Sequence, residues 1–154
     1  MEIARRGASA TTAALRMEER ASVIEVLRLR LLDGALVMAE RAAFVEHIGR
    51  LLLDFDPDTA SLYAHLADRG VDLQSARHTI DAVGADETDA ALPGVAPGAP
   101  LLRGRRHTSS AAGDPLEYGE DRYRPDRVTF TIDNARPAAP AAGQDLRVRK
   151  HVAG

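Results

Sequence analysis

The chain has 154 residues, a formal net charge of −3 and 45% hydrophobic residues, which fits one small domain with a core of its own. The negative charge excludes a general electrostatic attraction to nucleic acids or anionic membranes, and the lack of cysteine excludes disulfides and zinc–thiolate sites. Aromatic residues make up 4% of the chain, so the core must be aliphatic and base-stacking platforms are disfavoured.

The first predicted element is a long helix over residues 13–55, the most apolar stretch of the sequence. Apolar side chains recur there every seven residues, a spacing typical of helices that associate, at Ile24, Leu31, Met38, Val45 and Leu52. We expect the chain to self-associate through this row. Two helices hinged at Gly34 are the alternative, because an interior glycine costs a helix about 1 kcal/mol, but one helix is favoured. Arg28 and Glu40 are interpreted as part of a solvated face.

Residues 58–83 predict two shorter helices, 58–69 and 73–83, separated by a turn at Gly70. This order permits two interpretations. A structural αα-hairpin that packs on the long helix is favoured, and a helix-turn-helix that binds DNA is the alternative. In the alternative, the second helix would read base edges with Gln74, Arg77 and His78.

Residues 91–117 are rich in proline and glycine and predict an extended arm or linker. The arm contains a basic cluster that is a candidate for contacts with nucleic acid or an acidic partner, namely Arg103, Arg105 and Arg106. Arms of this kind become ordered when they wrap a neighbouring subunit.

The last stretch changes to a period of two residues. DRVTFTID at 126–133 and LRVRKHV at 146–152 alternate apolar and polar residues, and they predict two antiparallel strands. Two strands alone are only marginally stable, so we expect this ribbon to pack on the helices or to join the sheet of a partner.

The motif YRPDR at residues 123–127 precedes the first of these strands. With the rest of residues 118–154, it resembles the C-terminal half of small potato-inhibitor-I-like serine protease inhibitors of bacteria. The resemblance implies that Arg124 and Arg127 brace a protease-binding loop just before the motif, made of Gly119, Glu120, Asp121 and Arg122. Inhibition of a serine protease is therefore one alternative function.

Together these elements predict an α+β fold. It would consist of an N-terminal helical bundle (the long helix and the αα-hairpin), an extended Pro/Gly-rich arm and a small C-terminal antiparallel β-ribbon. The corresponding segments are a flexible tail (1–12), a helical domain (13–90), the arm or linker (91–117) and a β-ribbon module (118–154).

No catalytic, metal-binding or cofactor-binding motif is recognised, so we expect neither an enzyme nor a cofactor. The predicted function is a self-associating structural or assembly subunit, such as a virion component, whose partners are proteins. The alternatives are a helix-turn-helix DNA-binding regulator and a protease inhibitor. No run of residues is long and apolar enough to predict a membrane span, and we expect the protein in the cytoplasm or within an assembled particle.

Overall fold

A computed structural model describes residues 2–7, 10–17, 21–56, 61–134 and 146–152 of the chain. Strands form most of its regular structure, and the helices between them are short. None of the helices within these ranges is long and apolar enough to cross a membrane. In chain order the elements are β1 (Glu2–Gly7), α1 (Ala10–Ala14), β2 (Ser22–Leu32), β3 (Ala35–Val45), α2 (Glu46–Gly49), a 3-10 turn (Arg50–Leu52), α3 (Leu62–Asp68), β4 (Ser75–Gly84), α4 (Glu87–Ala90), β5 (Pro100–Ser109), β6 (Pro115–Tyr123), β7 (Val128–Asn134) and β8 (Leu146–Val152).

Strands β2 and β3 form a long antiparallel hairpin around the turn Asp33-Gly34. Both turn residues have a positive φ, +50° at Asp33 and +77° at Gly34, as in a type I′ turn, which suits the twist of a two-residue hairpin. The predicted helix over residues 13–55 is therefore wrong, and so is a helix hinge at Gly34. Much of this hairpin is buried on both faces, so its residues are mostly apolar. The alternation of apolar and polar residues that usually indicates a strand is therefore weak here.

The seven-residue row that predicts self-association does not form one surface. Ile24, Met38, Val45 and Leu52 are buried within this chain, on two strands and the 3-10 turn, whereas Leu31 is 55% exposed near the hairpin turn. The four buried side chains belong to the core of the single chain. Self-association itself stays a prediction.

Six strands form one antiparallel sheet in the order β1-β2-β3-β6-β5-β4. Side chains alternate between its two faces, because successive residues of a strand point in opposite directions. The α3 face carries Glu117, which Tyr63 of α3 contacts. The α4 face carries Arg122, which Asp89 of α4 contacts.

The far half of the sheet consists of residues for which the sequence predicts helix and arm. Helix α3 confirms a helix within residues 58–69, and Gly70, with φ +78°, follows its end. The second predicted helix, 73–83, is wrong because β4 begins at Ser75 and takes up the rest of this range. The predicted arm is wrong because it contains β5 and the start of β6. The helical bundle is therefore replaced by a sheet. Strand β6 also crosses the segment boundary placed between residues 117 and 118.

Three apolar clusters join the sheet to the elements that cover it. The largest links β3 to the 3-10 turn and α3 through the fully buried Phe44, Leu52 and Leu66. A second cluster places Leu92 and Val95, which follow α4, against the other face. These contacts cover the central strands on both faces. Burial of a Leu, Val or Phe side chain stabilises the fold by roughly 1.5–3 kcal/mol.

The predicted C-terminal β-ribbon is confirmed as β7 and β8, which pair antiparallel as a separate two-stranded sheet. Phe130 of β7 meets the ring of Tyr123 edge-on, with 5.0 Å between the ring centroids. Val128 is buried, whereas Ile132 is 54% exposed. The start of β7 therefore packs on the end of β6, and its outer part remains accessible.

Candidate functional site

Five charged side chains lie next to one another on the α3 face, across four neighbouring strands. The register places them there: Arg28 of β2 is opposite Glu40 of β3, and Glu40 is opposite Asp121 of β6, while β5 and β6 supply the other two. None of the five side chains is more than about one-eighth exposed, although charged residues are seldom buried. We refer to the set as the charge row: Arg28, Glu40, Arg106, Glu117 and Asp121.

Two buried ion pairs form the frame of the charge row. Arg28 donates to Oε2 of Glu40 from Nη2 at 2.6 Å and from Nε at 3.0 Å. Arg106 donates to Oε1 of Glu117 from Nη2 at 2.7 Å, and the Thr108 hydroxyl donates to Oε2 of the same carboxylate at 2.7 Å. Burial opposes the charge of Arg106, but the hydrogen bond and charge of Glu117 outweigh it and raise the pKa of Arg106. Each of these four charges thus has a partner in contact.

Two tyrosine hydroxyls donate to the carboxylates of the charge row. Tyr63 of α3 donates to Oε1 of Glu117 at 2.8 Å, and Tyr123 of β6 donates to Oδ2 of Asp121 at 2.9 Å. Burial and, after it, the charge of the adjacent carboxylate raise the pKa of both tyrosines. Both therefore stay neutral hydrogen-bond donors, and Tyr63 connects α3 directly to the charge row.

Two glycines of the sheet make room for the large side chains of the site. A Cβ atom on Gly119 would lie 2.8 Å from Nη2 of Arg106, and a Cβ on Gly104 would lie 3.0 Å from the ring of Tyr123. The guanidinium of Arg106 thus lies close over the backbone of β6, and the Tyr123 ring lies close over β5. A larger residue at either glycine would force these side chains to move.

Asp121 has the least compensated charge of the row. Its Oδ2 accepts from Tyr123 and lies 3.4 Å from Nη1 of Arg106, while the carboxylate of Glu40 is opposite on β3. Burial raises the pKa of Asp121 to about 6, and the charge of Glu40 adds to this effect, although Arg106 opposes it. The carboxyl group therefore gains and loses its proton around pH 6, well above the usual range of an aspartate.

The α3 face thus presents hydrogen-bond donors, acceptors and charges of both signs on rigid strands, which is suited to orienting a small polar molecule. In the part of the chain that the structure describes, no group of three or more His, Cys, Asp or Glu residues is arranged to hold a metal ion.

The α4 face carries a second set of ion pairs, some partly exposed and one, between Arg122 and Asp89, buried. Arg103 and Arg105 of β5 both contact Oδ2 of Asp81 on β4, at 2.6 Å and 3.1 Å. Arg122 of β6 donates to Asp89 of α4 at 3.0 Å. The hydrogen bond from Arg103 lowers the pKa of Asp81. These contacts hold β4, β5 and α4 together.

Comparison with known proteins identifies the family of this chain. The sequence matches the family described as the UTRA domain over residues 1–129. The chain belongs to the UTRA domain family. A solved structure with a similar fold is a putative transcriptional regulator from Streptomyces coelicolor, with a TM-score of 0.75 and 26% sequence identity, covering 97% of this chain and 90% of that one.

A second related structure is the effector domain of PhnF from Mycobacterium smegmatis, with a TM-score of 0.74 and 26% identity, covering 85% of this chain and 82% of that one. In the structure of PhnF itself, the match covers 59% of the PhnF chain. These findings overturn the predicted helical bundle and the predicted assembly or virion subunit. They agree better with the alternative of a regulator, although not through the element that the sequence suggests.

In this UTRA domain the residues predicted to read DNA do not lie on a helix. Gln74 precedes β4 and donates to Asp72, while Arg77 and His78 are neighbours within β4 and point to opposite faces of the sheet. A recognition helix at 73–83 is therefore wrong. These three residues therefore do not form the base-reading surface of a recognition helix.

The predicted basic cluster is divided between the two faces of the sheet. Arg106 is buried in the charge row, whereas Arg103 and Arg105 lie on the α4 face with Asp81. Contacts of this cluster with nucleic acid or an acidic partner stay a prediction. The side chains of Arg103 and Arg105 are 26% and 35% exposed and remain accessible for such contacts.

The loop implied by the protease-inhibitor resemblance is the interior of a strand. Residues 119–122, including Glu120 and Asp121, lie in β6 between β3 and β5. Arg124 pairs with Asp126 at 2.6 Å, and Arg127 lies in the turn that follows β6. The resemblance is therefore wrong, because the YRPDR motif forms a strand end and a turn rather than the support of an exposed loop.

The charge row is largely missed by sequence analysis. Arg28 and Glu40, which the helical pattern assigns to a solvated face, are buried, and Glu117 carries no motif. One usable signal is the alternation of residues 26–31 (VLRLRL) before Asp-Gly, which indicates a strand with Arg28 in its middle. The stretch LEYGEDRY has no comparable apolar–polar alternation, and only its pairing as a strand places on one face Glu117, Gly119, Asp121 and Tyr123.

Proposed function

We propose that this UTRA domain is the effector-binding part of a transcriptional regulator, and that a small polar molecule bound at the charge row changes the affinity of the regulator for DNA. The observation that carries the proposal is the set of buried charges on the α3 face. Buried ion pairs are often replaceable by apolar residues without loss of stability, so their presence favours a use in binding. The relationship to an effector domain and to a putative regulator supports the same role.

The contact between α3 and the charge row suggests how binding would be transmitted. Tyr63 joins α3 to Glu117, which is also held by Arg106 and Thr108. A ligand that competes for Glu117 or for the Tyr63 hydroxyl would change the position of α3 on the sheet. Such differential contact is what couples a ligand site to a distant DNA-binding surface.

The proposal assigns DNA contact to another domain of the regulator. Within the described residues, the range predicted as a recognition helix is the strand β4. Full-length PhnF is longer than the region that this chain matches. The role of the present domain is binding without catalysis. The regulator would act as an oligomer, and light scattering of the purified protein measures its oligomeric state.

The first test is a thermal-shift screen of the purified chain with a library of small polar metabolites. Compounds that raise the Tm are then measured by calorimetry on Tyr63→Phe and Tyr123→Phe, which remove one hydroxyl each from the charge row. Tyr118→Phe is the matched control, because its hydroxyl donates to Glu120 at 2.9 Å on the opposite face. We expect the affinity for the ligand to change at least tenfold in the first two variants and to stay unchanged in the control, since each of those hydroxyls bonds a carboxylate of the charge row and such a hydrogen bond contributes about 1.5–3 kcal/mol.

The second test adds a confirmed ligand to the whole regulator bound to its DNA. Its affinity for DNA should change by roughly 5- to 150-fold, the usual range of allosteric coupling. A library in which no compound stabilises the chain would contradict the proposal. Binding that all three tyrosine variants leave unchanged would place the ligand elsewhere and contradict the assigned site.

A further inference from the structure

The charge row contains one more carboxylate than it contains guanidinium groups. Arg28 and Glu40 form one close pair, and Arg106 and Glu117 form the other. Asp121 remains as the fifth charge. Its only described cationic neighbour within 4 Å is Arg106, whose shorter contacts are to Glu117.

One oxygen of Asp121 has no hydrogen-bond partner among the described residues. Oδ2 accepts from Tyr123 at 2.9 Å, whereas Oδ1 is buried and accepts from no group. The residue is 3% exposed, and Glu40 is directly opposite it across the β3–β6 pairing. Like charges opposite each other on a sheet repel, and a buried acceptor without a donor loses its hydration without replacement.

Such a carboxylate favours any cation that reaches it. Below about pH 6 a proton has this role, because burial raises the pKa of Asp121 to about 6. A ligand with a positively charged N–H group would supply both the missing charge and the missing donor. Charge-assisted hydrogen bonds of this type are about twice as strong as neutral ones.

The surroundings also suit an organic cation. The hydroxyl of Tyr123 bonds to Asp121, and on the same face the ring of Tyr63 already holds an organic cation, with the guanidinium carbon of Arg106 5.3 Å from its centroid. Aromatic faces attract ammonium and guanidinium groups through their quadrupole. No three-ligand metal arrangement is present in the described part of the chain, which makes a metal ion a poorer fit.

We propose that the effector carries an ammonium or guanidinium group, which donates hydrogen bonds to Oδ1 of Asp121 and balances the third carboxylate of the charge row. This inference rests on the proposed effector-binding function and specifies the chemical class of the effector. Because Oδ1 is sealed from solvent, the cation reaches it only after a covering side chain moves. Ligand binding is therefore coupled to a change in the packing over the charge row.

The test measures the Tm of the purified chain at pH 7.5 and constant ionic strength with four probes and one metal salt. Putrescine and agmatine are the cationic probes, succinate and glycerol 3-phosphate are the anionic probes of similar size, and magnesium chloride tests a metal ion. We expect the cationic probes to raise the Tm by about 3–6 °C at tenfold excess over their Kd. The anionic probes and magnesium should leave the Tm unchanged.

Two variants separate the site from general attraction to a negatively charged protein. Asp121→Asn should weaken binding of the cationic probes at least tenfold, because it removes the charge and keeps the shape. Asp68→Asn changes the net charge equally at an exposed position of α3 and should bind them as the wild type does. Binding should also weaken between pH 7.5 and pH 5, where the carboxyl group of Asp121 becomes protonated.

The outcomes distinguish this inference from the function on which it rests. If only anionic probes bind, or if metabolites other than cations stabilise the chain while putrescine and agmatine do not, the inference is wrong and the effector-binding function stands. If neither the probes nor the wider library stabilise the chain, both are wrong. Cation binding that persists unchanged in Asp121→Asn or at pH 5 also overturns the assignment to Asp121.

Discussion

Arg105 and Arg106 are adjacent in the sequence, yet they belong to two different electrostatic environments. Arg106 lies on the α3 face with a side chain that is 12% exposed and bonded to the fully buried Glu117. Arg105 lies on the α4 face with a side chain that is 35% exposed and shares Asp81 with Arg103. The two residues have the same chemistry and differ only in the direction in which the strand points them.

The contrast shows why a basic cluster in a sequence does not define one surface. On the α4 face, water screens the partly exposed pairs of Arg103 and Arg105 with Asp81, so each is expected to contribute little to stability. On the α3 face, removal of one partner leaves the other buried without compensation. The same type of contact therefore stabilises the fold weakly where its partners are exposed and strongly where they are buried.

The largest expected effect is that of Glu117→Gln on the α3 face. The substitution keeps the size of the side chain but leaves the charge of Arg106 buried without its main partner. We expect the free energy of unfolding to fall by about 3–5 kcal/mol, measured by urea unfolding at pH 7.5.

Glu46→Gln is the control, because it removes an exposed ion pair with Arg50 within α2 and the following turn. It should change the free energy of unfolding by no more than about 0.5 kcal/mol. Equal losses in the two variants would mean that burial does not distinguish these ion pairs.

A smaller effect, and one that depends on pH, is expected for Asp121→Asn. The folded state holds the proton of Asp121 with a pKa of about 6, against 3.8 for the unconstrained group, so its binding stabilises the fold at low pH and this contribution is lost as pH rises through 6. The variant lacks this dependence. Its stability relative to the wild type should therefore be higher at pH 7.5 than at pH 4.5, by about 2 kcal/mol.

Urea unfolding at the two pH values measures this difference, with Asp68→Asn as the control for the change in net charge. A difference between variant and wild type that is the same at both pH values would show that Asp121 has no raised pKa. The comparison does not depend on the packing of the asparagine, since that contribution is present at both pH values.

The smallest effect is expected on the α4 face. Asp81→Asn removes the carboxylate that Arg103 and Arg105 share, but all three side chains are partly exposed. The hydrogen bond from Arg103 lowers the pKa of Asp81, so the stability it adds is present at neutral pH and is lost as pH falls through the lowered value. The urea midpoint at pH 7.5 and 0.15 M salt should stay within experimental error of the wild type, and a clear loss would show that this face is as tightly coupled as the other.

Part of the fold could be predicted from local pattern. The ribbon β7–β8 follows from alternation, and α3 follows from an amphipathic stretch that ends at Gly70. The hairpin β2–β3 had a local signal too, since Asp33-Gly34 between apolar runs is a strong indication of a type I′ turn. The seven-residue spacing of apolar residues competes with this signal and favours a helix. Because the hairpin carries apolar residues on both faces, its sequence fits a helical period as well as the strand period of two.

The six-stranded sheet had no comparable local signal. Strand β3 pairs with β6, some eighty positions further along the chain, and β4 and β5 have to form between them. Whether a segment forms a strand depends on packing against such distant neighbours. The Pro- and Gly-rich segment around β5 therefore indicates a loop when its sequence is considered alone. The charge row shares this property, because its members come from four strands.

The sequence by itself determined which residues alternate, where the chain turns and what charges are available. It thereby determined the ribbon, α3 and the absence of any cysteine chemistry. Only the tertiary structure decided that Arg28, Glu40, Arg106, Glu117 and Asp121 share one buried face. The physical reason is that register between strands, and not position along the chain, sets which side chains meet and how much water remains to screen them.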